Sequence, residues 1–225
     1  MGDGTRQNPY TREDVLEAIE KNGGTAKGLD LSGKTFEAGI DLRGFDLTGI
    51  ILKRARFAVR FIRGTDITEA DIGAQLQNTK LMEAQLQRAS LRFASLQRAD
   101  LSNANLREAN LSFAHLEQAI LRSVNLDGAD LTEAKLRLAY LEGAKWSFAT
   151  ELHKVDWGQD YMVGQEAVGE FETAERIYRS LQKWHEEHGI RDLTSRFAFN
   201  KQRARKKAIG AEVKRAFKEA FKWRG

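Results

Sequence analysis

The chain has 225 residues, 41% hydrophobic and 30% charged, enough for one large domain or two small ones with a substantial core. It holds no Cys, which excludes disulfides and thiolate metal sites, and no apolar run of about 18 residues, so the sequence offers no membrane-spanning helix. The formal charge of +4 is unevenly spread: residues 76–145 carry 9 basic and 8 acidic groups, residues 151–195 carry 5 and 10, and residues 196–225 carry 11 and 2.

Residues 1–28 read as a tail and a capping helix. Thr11 is placed to cap the helix, with Asp14 three residues on and Glu13 also in the first turn. Val15, Leu16 and Ile19 give the helix an apolar face, and Gly23 and Gly24 end it.

A five-residue rhythm follows and fills residues 29–149. It begins irregularly. Leu42, Leu47, Leu52, Phe57, Ile62, Ile67 and Ile72 keep the step but sit one residue out of register with Leu76, and another slip separates Phe36 from Leu42. Within residues 57–64 Arg60 stands where a small side chain belongs, which reads as a bulge or distorted corner, or else as a loop or groove that binds something. From Leu76 the rhythm is unbroken: Leu81, Leu86, Leu91, Leu96, Leu101, Leu106, Leu111, Leu116, Leu121, Leu126, Leu131, Leu136 and Leu141. Two residues before each of these fourteen Leu lies Ala, except at Thr79 and Val124.

A period of five suits neither a helix nor a flat strand. On a helix successive Leu would step round by about 140° and spread over every face. On a strand an odd period would send them to alternate faces. All can share one interior only if the chain turns a corner in every repeat. Ala and Leu, two apart, then point inward, while Arg88, Asp100, Asn103, Glu108 and Asp130 point outward.

The runs ADLSNANLREANLSFAHL (99–116) and ADLTEAKL (129–136) resemble the pentapeptide-repeat family, whose ideal repeat is A-[DN]-L-x-x. The resemblance implies a right-handed, four-sided β-helix with four pentapeptides per coil. A solenoid exposes apolar side chains at its ends and needs caps. Trp146 takes the next Leu position, and with Phe148 it reads as the lid of the last coil.

Beyond residue 150 the spacing turns helical. Val168, Phe171, Ala174, Ile177, Tyr178, Leu181 and Trp184 recur at three and four residues, predicting one helix over about 164–187 that ends near Gly189. A second helix is expected from a cap at Asp192, with Leu193, Phe197 and Ala198 inside. Gly210 is expected to break it. A third would run from Ala211, with Val213, Ala216, Phe217, Ala220 and Phe221 on one face. The segment AERIYRSLQK (174–183) is similar to the helical region that follows the repeats in a subset of bacterial pentapeptide-repeat proteins, some of which continue into an ion-channel-like membrane segment.

No residue pattern points to catalysis, a cofactor or a metal. His185 and His188, three apart, lack the HExxH spacing of zinc peptidases and read as a solvated helix end, and no glycine-rich phosphate loop is present. The expectation is a non-enzymatic interaction scaffold. Phe171, Ile177, Tyr178, Leu181 and Trp184 suit pairing with a helix of a second copy, giving a homodimer. Arg203, Arg205, Lys206, Lys207, Lys214, Arg215, Lys218 and Lys222 form a basic surface suited to a protein partner or an anionic membrane, and less to nucleic acid, for which no docking motif is present. The expected setting is the cytoplasm, at or near the inner face of the membrane. One alternative is the soluble part of a membrane channel-like or signalling protein. Another comes from the family resemblance: some members are acidic rods that occupy the DNA site of gyrase, although residues 76–145 are near neutral here.

Overall fold

The computed structural model describes residues 2–58 and 73–222 and falls into two compact units, Met1–Gly158 and Gln159–Gly225.

The first unit is a β-solenoid. Parallel backbone pairs join Gln75 to Ser95, Ser95 to His115 and His115 to Lys135, and equivalent ladders start at Lys80, Gln85 and Ser90. Four ladders thus begin five residues apart, and each repeats after 20 residues. One coil is therefore four pentapeptides. Most sides contribute a single paired residue. Longer strands occur at β1 (Thr35–Phe36) and β2 (Arg56–Phe57), paired in parallel with Phe36 opposite Phe57. The two rings stack at 4.5 Å.

Each corner has the same chemistry. The Leu carbonyl accepts a hydrogen bond from the backbone three residues on, as in Ala84 N–H to Leu81 O at 3.1 Å. The residue before that donor is left-handed, with φ of 59° at Glu83, Arg88 and Arg98, as a type II turn requires. Where Asp or Asn precedes the Leu, its side chain holds the turn: Ser102 N–H donates to Asp100 Oδ1 at 2.9 Å and Ser112 N–H to Asn110 Oδ1 at 3.0 Å. This gives the A-[DN]-L pattern a physical cause beyond outward polarity.

The interior is apolar and narrow. All fourteen Leu from Leu76 to Leu141 expose 2% or less, and the small residues before them 1% or less. Each buried Leu contributes roughly 1.5–3 kcal/mol of transfer free energy. Thr79 fits a small-residue slot because its hydroxyl donates to Leu42 O at 2.9 Å.

The irregularities have distinct origins. Asp41 pairs with Gln75 and Asp46 with Lys80, a span of 34 residues instead of 20. The surplus falls between Arg56 and Gln75. The expected steps at Ile62, Ile67 and Ile72, and the bulge or binding groove read at Arg60, lie outside the described residues. Upstream, Asp30–Ile51 and Thr35–Arg56 are one residue longer than a regular coil, which accounts for the slip before Leu42.

At the far end the solenoid runs past the expected boundary at 149. Asp130 pairs with Glu151 and Lys135 with Asp156, and Leu152, Val155 and Trp157 are buried. One extra residue after Trp146 masks this continuation in the sequence. Thr150 then fills the small slot, donating its hydroxyl to Leu126 O at 2.8 Å. The expected lid is corrected accordingly: Trp146 is half-buried and Phe148 is 66% exposed, because the coil continues beyond both.

At the near end Tyr10 pairs with Phe36 and leads into α1 (Arg12–Lys21). Thr11 and Asp14 form the reciprocal capping box. Arg12 ties α1 to the coil by donating to Asp41 O and lying over the Phe45 ring at 4.4 Å. Val15 and Ala18 are buried, whereas Leu16, expected inside, is 47% exposed.

The second unit contains α2 (Gly164–Ala167), α3 (Phe171–Glu187) and α4 (Arg191–Lys222). The helix expected over 164–187 is divided, because Gly169 adopts φ of 86°, a left-handed conformation that stops a helix. Asp192 lies in the first turn of α4 and does not cap it. The break expected at Gly210 is absent. An interior Gly costs only about 1 kcal/mol, and the good helix formers on both sides outweigh it.

Candidate interaction surface of the C-terminal helices

The helices α3 and α4 are joined by His188–Ile190, and Ile190 N–H donates back to His185 O at 2.9 Å. So short a link makes α4 run back along α3. Ala174, Ile177, Tyr178, Leu181 and Trp184 of α3 are buried, as are Phe197, Asn200 and Ala204 of α4. The Tyr178 and Phe197 rings stack at 6.3 Å, and Lys201 Nζ reaches Gln182 Oε1 at 2.7 Å.

This overturns the expected self-association face. Ile177, Tyr178, Leu181 and Trp184 expose 5% or less within one chain, so α4 of the same chain already occupies the face. Phe171 stays partly exposed, with the Lys207 ammonium 5.5 Å from its ring. The HEEH pair is likewise not a simple solvated end, although His188 stays partly exposed. His185 is fully buried, its Nδ1–H donates to Leu181 O at 2.7 Å, and its ring lies 5.0 Å from Phe197. His188 stacks on Trp184 with centroids 3.7 Å apart.

The anchor of the unit is a residue the sequence reading passed over. Glu166 of α2 has a fully buried side chain. It accepts Tyr178 Oη–H at 2.7 Å, Arg203 Nε and Nη2 at 2.9 Å each, and Lys207 Nζ at 2.9 Å. Burial pushes this carboxyl up, but the hydrogen bonds from Arg203, Lys207 and Tyr178 prevail and hold it below its ordinary value. Burial, and then the bond to Glu166, push the Tyr178 hydroxyl above its ordinary value. A detectable signal was present: a lone acid in the run VGQEAVG, with Arg203 and Lys207 spaced i, i+4 on a later helix.

The expected basic surface therefore divides in two. Arg203 and Lys207 turn inward to Glu166. Arg205, Lys206, Lys214, Arg215 and Lys218 are exposed, and none forms an ion pair among the described residues. The Lys222 side chain lies outside the described ones. At about 1.5 Å per residue α4 is nearly twice as long as α3, so its outer half extends past the α3 packing surface. An open cleft of about 360 Å³ beside the hairpin is lined by Tyr161, Ser195, Arg196, Phe199, Asn200 and Arg203, among others. Two of its polar side chains are engaged: Arg196 covers Tyr161 at 4.7 Å, and Asn200 Nδ2 donates to the Asp160 and Tyr161 carbonyls.

The surface of the solenoid is different in kind. Charges on successive coils neutralise each other, as in Arg107–Asp127 at 3.5 Å, Arg122–Glu142 at 3.7 Å and Lys154–Glu133 at 3.3 Å, with Arg88 on Glu108 as well. Such exposed pairs add little stability, but they leave this part of the rod without a field of one sign. Among the described residues no cluster of His, Asp or Glu is placed to hold a metal, and no helix is long and apolar enough to cross a membrane.

Comparison with known proteins bears on the solenoid. The family described as pentapeptide repeats matches in eight copies, over residues 72–108, 84–122 and 109–145. Among solved structures, the pentapeptide-repeat protein Rfr23 of the cyanobacterium Cyanothece 51142 is 28% identical, over 53% of this chain and 65% of its own, with a TM-score of 0.35. The protein alr5209 of Nostoc PCC 7120 is 32% identical over 36% of this chain and 83% of its own, with a TM-score of 0.22. QnrB1, a plasmid-mediated fluoroquinolone resistance protein, is 16% identical over 59% and 71%, with a TM-score of 0.34. The chain thus spans just under two thirds of the length of Rfr23. No curated protein matches. The repeat, its twenty-residue coil, the family match and the 32% identity over 83% of alr5209 agree: the chain belongs to the pentapeptide-repeat family.

Proposed function

We propose that this protein is a non-enzymatic interaction scaffold of the cytoplasm, in which the solenoid is the rigid display element and the outer half of α4 is the tether. Proteins of this family serve as interaction and structural scaffolds, which supports the first part. One observation carries the second. From Arg205 to Glu219 every described side chain is exposed except the half-buried Ala208. Helices in proteins draw most of their stability from packing, which this half of α4 lacks within the chain, so a partner surface is where it gains stability. The paired charges of the solenoid give no support to a DNA-mimicking role, which needs a strongly negative rod.

The test is a photo-crosslinking residue placed at Val213, with a second at the exposed Glu172 of α3 as control, in cells expressing the full chain. Adducts concentrated at Val213 are the expected result. Equal yields at the two positions, or none at Val213, would remove the tether from the reading.

A further inference from the structure

The outer half of α4 carries a narrow apolar stripe edged by charge. Ile209, Val213 and Ala216 recur at four and three residues, which places them on one stripe. Ile209 and Val213 expose 52% and 48% of their surface. At about 100° per residue, Arg205 and Lys206 flank this stripe on its two sides, Glu212 and Glu219 follow Arg205 on its side, and Lys214 and Lys218 lie opposite. Residues 205–222 contain seven Lys or Arg and two Glu.

These facts discriminate among occupants. A second copy of the segment, with seven Lys or Arg against two Glu over residues 205–222, would set one net positive charge against another. A nucleic acid would neutralise the cations but leave Ile209 and Val213 in water. An anionic lipid surface meets both demands. The stripe enters the boundary between headgroups and acyl chains, and Arg205 and Lys206 extend sideways to the phosphates. The far-side lysines remain within about one helix diameter, close to the Debye length of about 8–10 Å, and still feel the surface. We infer that the outer half of α4 lies along an anionic membrane surface with Ile209 and Val213 facing the lipid. This inference rests on the scaffold reading and names the surface to which the tether attaches.

The orientation makes the test specific. Full chain is sedimented with phosphatidylcholine vesicles, with or without roughly a third phosphatidylserine, at low and physiological salt. Binding to the phosphatidylserine vesicles alone, weakened by salt, is expected. The pair Arg205→Gln and Lys206→Gln should lower affinity about 25-fold, and Lys214→Gln with Lys218→Gln distinctly less. Ile209→Ser with Val213→Ser should remove the binding that survives physiological salt. All six positions are exposed, so circular dichroism should show each variant folded. Equal binding to both vesicle types, or equal losses from the near and far pairs, overturns the inference. So does tighter binding to duplex DNA than to vesicles. A dimer by light scattering that ignores vesicles would assign the stripe to a second copy, leaving the tether intact. Absence of both, together with no adducts at Val213, would sink the tether as well.

Discussion

Tyr178 donates its hydroxyl hydrogen to Glu166 over 2.7 Å, and the same hydroxyl accepts the backbone N–H of Val163 at 3.1 Å. Two helices and the segment before them thus meet at one buried carboxylate, which also binds Arg203 and Lys207 from α4. Removing one member of a buried ion pair leaves the other uncompensated, and such losses run to about 3 kcal/mol or more. Glu166→Ala should therefore melt the α3–α4 hairpin well below the wild-type temperature, read from helical ellipticity.

The same carboxylate predicts a pH dependence. Its folded value lies below the ordinary carboxylate range, so the stability it contributes is fully present above that range and is lost as pH falls through the folded value. Helicity of the wild-type chain should decline in acid below about pH 4. In Glu166→Gln the part of that decline due to this site should vanish. An identical acid profile in the two proteins would assign the transition to other carboxylates.

In the solenoid, cost should follow burial. Leu106 is fully buried, and Leu106→Ala should cost about 2–5 kcal/mol in urea unfolding. Leu16, 47% exposed on α1, should tolerate Ala within about 0.5 kcal/mol. Comparable costs at the two sites would contradict the packing described.

The sequence disclosed the coil because the repeat is enforced at every corner: one Leu and one small residue must fit each side of a narrow interior. Where a single residue is inserted, as after Trp146, the pattern loses its phase although the backbone ladder reaches Asp156. The helical unit was less legible. The spacing of Ile177, Tyr178, Leu181 and Trp184 showed that a face is buried, but periodicity does not name what buries it. The partner proved to be α4 of the same chain. Glu166 was passed over for a related reason: its partners lie 12, 37 and 41 residues away, so the lone acid and the i, i+4 basic pair are both visible in the sequence but nothing local joins them.

Two glycines should respond in opposite directions. Gly128 occupies the left-handed corner position with φ of 65°, so Gly128→Ala should cost about 1 kcal/mol of solenoid stability. Gly210 lies inside α4, and an added Cβ there would meet nothing within 4 Å. Gly210→Ala should raise helicity and slow amide exchange over about residues 207–214, since Ala is favoured over Gly by about 1 kcal/mol in a helix interior. Faster exchange there would mean that the helix is not continuous through this position.

The sharpest test of the helical unit is Leu181→Asp. If the apolar face of α3 were a dimer surface, an acid there would split a dimer and leave the helices intact. Leu181 is fully buried beside Tyr178 and Trp184, so the acid must instead enter the hairpin core or force the hairpin open. Burying an unpaired carboxylate costs several kcal/mol, enough to unfold a small helical unit. Light scattering should therefore show the mass of the variant unchanged from wild type, while ellipticity at 222 nm falls. A halved mass with full helicity would restore α3 as the self-association face and displace α4 from its place against it.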